Sequence, residues 1–156
     1  MGCLEASYAV AGKQTDKDKI SRVLLANAYA SDKALWERLA RRHLEEVSQA
    51  DPDICYALAM RLRKRGARDA EEVIHLSDVA LTNASVWSEG VYVRRVYALY
   101  KMRAAAAHEL WRSAAEAHAA SPTGTSAAAA GEARGRAKTF AREWYDYAGA
   151  SGPVPA

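Results

Sequence analysis

Few residue patterns in this chain are spaced for chemistry. Glu72-x-x-His75 puts a carboxylate and an imidazole on one helical face, as metal sites in helical bundles require. Such a site needs a second pair and further carboxylates, yet His43, His108 and His118 have no glutamate three residues before them. The pair therefore reads as a surface contact, and no metal or other cofactor is expected. Cys3 and Cys55 lie in no CxxC or Cys/His cluster, so neither a structural disulfide nor a zinc site is expected. There is no GxSxG, P-loop or GxGxxG, and serine, histidine and aspartate occur only as scattered residues. An enzyme is not expected.

Two other patterns bear on partners. Arg61, Arg63, Lys64, Arg65 and Arg68 form the densest run of charge. Such a run can grip phosphates, but it also falls in the last turn of a predicted helix, where cations complement the macrodipole. No aromatic stacking platform or glycine-rich loop accompanies it, so the reading disfavours nucleic acid. Met1-Gly2-Cys3 resembles two lipidation signals. Gly-Cys ends a bacterial lipobox, which would place a lipid on Cys3 and favour the bacterial envelope, although no apolar h-region precedes it. The eukaryotic alternative, myristate on Gly2 and palmitate on Cys3, expects serine at position 6, where Ala6 stands. An accidental cysteine at a frayed terminus, in a cytoplasmic protein, is the plain alternative.

The bulk properties narrow the class. At 156 residues the chain suits one domain with flexible ends, and its 50% apolar and 26% charged residues suit a globular core. A net charge of +3 permits a nucleic-acid partner without indicating one. No apolar run approaches the roughly 18 residues that would span a membrane.

Seven helices are predicted. The first two cover about Lys17 to Tyr29, opened by Thr15 and Asp18, and about Lys33 to Gln49, opened by Ser31-Asp32. Asp51-Pro52 pairs a carboxylate N-cap with proline at the first helical position and starts a third helix to Arg65, ended by Gly66. Asp69 is expected to cap a fourth, whose apolar stripe is Ala70, Val73, Ile74, Ser77, Ala80 and Leu81. A fifth covers about Ser88 to Met102, and a sixth ends at Ser121-Pro122. A Ser/Thr/Gly/Ala-rich loop, 121–131, leads into an amphipathic closing helix, 132–148. Residues 1–15 read as a flexible tether, and 149–156 as a disordered tail.

Ile54 to Leu81 slides forward by 37 positions onto Val91 to His118, matching Leu62 with Leu99, Lys64 with Lys101, Glu72 with Glu109 and Ala80 with Ala117. A repeat of that length is one helical hairpin, which must stack on a neighbour to bury its apolar face. The hairpin from Pro52 to Leu81, with Ala59, Leu62, Gly66 and Ala80, resembles a tetratricopeptide repeat. It departs from that family in length, in lacking the early Trp and closing Pro, and in having Arg103 where the second copy should turn on glycine. A third, weaker copy pairs Leu25 with Leu62 and Trp36 with Val73. The resemblance, over about Lys17 to Ala120, implies an all-α, right-handed stack of about three hairpins (16–120) with a C-terminal capping helix.

It also implies a concave groove lined by Tyr56, Met60, Arg63 and Lys64, then by Val93, Tyr97, Tyr100 and Lys101, with Lys19, Val23 and Asn27 from the first repeat. Aromatics and cations at these positions suit a peptide or subunit with acidic groups. The expected function is a non-catalytic adaptor or scaffold, tethered to a membrane if Cys3 is acylated, with no small-molecule substrate. The alternative is a structural subunit of a larger assembly.

Overall fold

The computed structural model describes residues 2–150, and these are almost all helical, with no strand among them. Seven α-helices follow one another: α1 (Gly2–Val10), α2 (Gln14–Ser31), α3 (Lys33–Glu46), α4 (Pro52–Leu62), α5 (Ala70–Thr82), α6 (Glu89–Ala120) and α7 (Gly124–Ala150). Short 3-10 segments, Arg63–Asp69 and Ala84–Val86, flank α5. The chain divides into two compact units, Met1–Ile54 and Cys55–Ala156.

In the first unit α1 and α3 each pack on α2. The residues expected to be a tether form α1 instead, because Tyr8 gives that short helix an anchor. Its ring is buried under the Arg42 guanidinium, 4.2 Å from the ring centre, and its hydroxyl donates to Glu46 Oε2 at 2.9 Å. Arg42 also reaches Glu5 of α1 at 2.8 Å. Asp32 caps α3 as expected, accepting from the Leu35 amide at 2.8 Å. The α2 N-terminus differs: it begins at Gln14, and its N-cap position, Lys13, offers no side-chain acceptor. Gln14 serves the neighbouring helix instead, donating to the Glu46 and Val47 carbonyls at the end of α3.

In the second unit the Gly66 turn is as expected: its φ of 64° is the left-handed conformation that glycine adopts without a Cβ clash. Asp69 makes no capping bond to α5; its carboxylate is drawn to Arg65 at 3.1 Å and Arg68 at 3.5 Å. The largest departure is α6. Where two helices and a turn were expected, one helix of 32 residues runs from Glu89 to Ala120. From Val91 to Ala120 there is no glycine or proline, and the middle is Ala104 to Ala107, the strongest helix former in a row. Arg103, at the expected turn, is held instead by ion pairs to Asp78 of α5 at 2.6 Å and to Glu143 of α7. The second hairpin of the proposed repeat is thus absent from 91–118.

The expected loop 121–131 is also mostly helix, since α7 starts at Gly124. The Thr123 hydroxyl accepts from the Ser126 amide at 3.0 Å and so caps it. The closing helix foreseen over 132–148 lies inside α7, which packs along α6. The tail expected over 149–156 falls largely outside the described residues.

Candidate functional sites

Two places gather polar side chains, one in each unit. In the second unit, Arg63 and Lys64 from the end of the α4 segment meet Lys101 of α6 around a depression of about 390 Å³. Its floor is Ala70, Val73, Met102, Ala105 and Ala106, with Gly66 and Glu109 at the margin. The three cations are exposed, and none is in an ion pair among the described residues. Glu109 is already engaged by Arg112 at 2.7 Å, so the lining carries uncompensated positive charge over an apolar base.

Of the other groove residues, none joins this depression. Tyr97 packs edge-on against Trp144 at 6.1 Å, and Tyr100 stacks on Tyr147 at 4.9 Å, so both face α7. Tyr56 meets Trp87 edge-on at 6.2 Å, with the Arg95 guanidinium 5.0 Å above its ring. Met60 and Val93 are half-buried outside the depression. The strip foreseen from Tyr56 to Lys101 is therefore divided, because the unbroken α6 turns its aromatic face to α7 rather than to a groove. Cys3 is exposed on α1.

In the first unit a buried polar cluster assembles from residues that are far apart in sequence. Asp18, Ser21 and Arg22 occupy one face of α2, His43 lies in the last turn of α3, and Asp51 precedes α4. The chain turns between His43 and Asp51 because the Val47 and Ser48 amides both bond the His43 carbonyl, at 2.9 and 3.0 Å. His43 is fully buried, and Ser21 and Asp51 nearly so. The ring is held at both nitrogens: Nδ1 lies 3.0 Å from Ser21 Oγ and Nε2 3.1 Å from Asp51 Oδ2. A carboxylate can only accept, so the neutral ring carries its proton on Nε2 and accepts a hydrogen bond from the Ser21 hydroxyl at Nδ1.

Asp51 uses all of its acceptor capacity. Oδ1 takes the Asp53 and Ile54 amides at 3.0 and 3.1 Å, which is the N-cap foreseen for α4. Oδ2 takes His43 Nε2 and, at 2.5 Å, Arg22 Nη2. Burial pushes its pKa up, but the His43 and Ile54 hydrogen bonds and the Arg22 charge outweigh burial and hold it down at about 2. Asp18 completes the cluster, bound by Arg22 Nε at 3.0 Å and 3.9 Å from His43 Nε2. A second depression, of about 400 Å³, opens on Asp18, Arg22 and Asp51.

The Ser21–His43–Asp51 chain has the composition of a hydrolytic triad but not its arrangement. Serine sits on Nδ1 and the carboxylate on Nε2, the reverse of the usual order, and the Ser21 hydroxyl is sealed from solvent. As an acyl-transfer site it has no reachable nucleophile. The sequence signal for this cluster was slight: the 18, 21, 22 spacing on one helical face, and an Asp-Pro cap with a histidine eight residues before it.

The chain matches no protein-family model, no curated protein and no solved structure.

Proposed function

We propose that the protein is a non-catalytic interaction module that captures an acidic, partly apolar segment of a partner protein in the Arg63–Lys64–Lys101 depression. One observation carries the reading: three exposed cations without ion-pair partners ring an apolar floor built from two successive elements and α6. A carboxylate-bearing segment would gain charge-assisted hydrogen bonds from the rim, and its apolar side chains would cover Val73 and Met102. A depression of about 390 Å³ suits a short motif rather than a long peptide. The alternative, a structural subunit buried among neighbours, draws less support. The exposed large apolar residues, Val10, Val23, Tyr29, Val86, Tyr92 and Tyr145, are spread over five elements. A lipid on Cys3 is a separate and lesser proposal, which rests on that thiol being exposed on α1.

Selection of a displayed random-peptide library on the full chain tests the main reading. Acidic peptides with an apolar residue should be enriched, and the triple variant Arg63→Glu, Lys64→Glu, Lys101→Glu should bind them at least about tenfold more weakly while its helical content is retained. Enrichment of neutral peptides, or equal binding by the variant, would remove the depression as the site. An intact mass of the protein from its native cells, with or without acyl groups at Gly2 or Cys3, decides the tether.

A further inference from the structure

The buried cluster of the first unit has a use that its structural role does not exhaust. We infer that Asp18 Oδ1, His43 Nε2 and Asp51 Oδ2 form a binding site for one divalent transition-metal ion, with zinc the best fit. The three atoms lie within 4.8 Å of one another, with Nε2 to Oδ2 at 3.1 Å and Nε2 to Oδ1 at 3.9 Å. Zinc bonds of about 2.0–2.2 Å in tetrahedral geometry require ligand atoms roughly 3.3–3.5 Å apart, so these two spacings need to change by only about half an ångström. One imidazole and two carboxylates are a donor set that zinc accepts.

Charge and hydrogen bonding point the same way. With a neutral ring the two aspartates and Arg22 leave the cluster one positive charge short, in a place where His43 and Asp51 have little access to water. Zinc on two carboxylates and a neutral imidazole is balanced without Arg22. The guanidinium now occupies the cation's position on Asp51 Oδ2, and its side chain is 46% exposed, so it can withdraw into solvent. The ring needs no reorientation. When Nε2 becomes a ligand its proton is lost and Nδ1 is protonated, and Ser21 Oγ, already 3.0 Å away, turns from donor to acceptor. A hydroxyl fixing the far nitrogen is the outer-shell support that metal-bound histidines use. The depression over Asp18 and Asp51 supplies the entry path and leaves room for water as a fourth ligand.

Calorimetric titration of the chelator-treated full chain with zinc chloride tests this. One equivalent should bind with a rise in Tm, and the His43 ring nitrogen shifts should report transfer of the proton from Nε2 to Nδ1. Asp18→Asn, at a partly exposed position, should fold normally and weaken binding about tenfold or more. Arg22→Gln should bind at least as tightly as the parent, since it removes the competing cation. No binding by the parent chain would overturn the proposal, whatever Arg22→Gln does. Binding that Asp18→Asn leaves unchanged, or that leaves the proton on Nε2, would overturn it equally, because the zinc would then sit elsewhere.

Discussion

The two polar regions are built on opposite principles. Around His43 every group has a partner and the ring itself is buried, so the side chains define the backbone around them: the α4 cap, the turn from Val47 to Asp51 and the C-terminal end of α3. Around Lys101 the cations form no ion pair among the described residues, and the fold beneath them is completed by Val73, Met102 and alanines. The first region turns its polarity inward on its own backbone and side chains, and the second leaves it facing solvent. Exposed ion pairs contribute little in any case, whereas a buried charge that loses its partner is costly.

That contrast can be broken most directly at Asp51. Asp51→Ala removes the cap of α4 and leaves His43 and Arg22 facing a void, so the metal-free protein should lose about 3–5 kcal/mol in urea denaturation. Arg63→Ala and Lys101→Ala should change stability by less than about 0.5 kcal/mol. Equal losses at both sites would erase the distinction. Next in size is the packing of α5: Ala80 is fully buried, and Ala80→Leu should overpack that helix and cost about 1–3 kcal/mol.

Acid sharpens the comparison further. The Asp51 pKa falls on folding, from 3.8 to about 2, so its contribution is complete above the unfolded value and is lost as pH drops through that interval. Chelator-treated protein should lose stability over this range, and Asp51→Asn should flatten the loss. Tyr8 gives an effect of opposite sign, at the alkaline end. Burial, with the Glu46 hydrogen bond and charge, raises its pKa to about 12, so its contribution is complete below pH 10 and disappears as pH rises towards the folded value. Tyr8→Phe should cost about 0.5–1.5 kcal/mol near neutrality and remove that alkaline loss.

The sequence was legible where a local rule decided the outcome. Asp32 and Asp51-Pro52 announce their helices through capping chemistry, and Gly66 marks its turn through a φ that only glycine takes freely. It misled where a distant contact or a competing propensity decided. The offset of 37 residues aligned apolar positions on α6 that serve one long helix, and Ala104 to Ala107 were a better guide than the similarity. Tyr8 draws 2–10 into a helix through Arg42 and Glu46, which lie more than thirty residues away and leave no local trace. The His43 cluster was hidden for the same reason. The repeat spacing brings Arg63, Lys64 and Lys101 to one surface as the fold does, whereas Tyr97 and Tyr100 pack against α7, which no local signal places there.

Arg103 has a kinetic consequence. It stands near the middle of α6 and binds Asp78 on α5 and Glu143 on α7 while lying over the Phe140 ring at 4.4 Å, so one side chain fastens three helices at a single height. Of the 27 residues of α7 only Ala137 is buried, so that helix relies heavily on this clasp, on the Arg136–Glu71 pair and on the aromatic pairs beside it. Amide exchange along the middle of α7 should therefore be governed by one shared opening event rather than by independent fraying, and Arg103→Ala should divide that event into several faster ones.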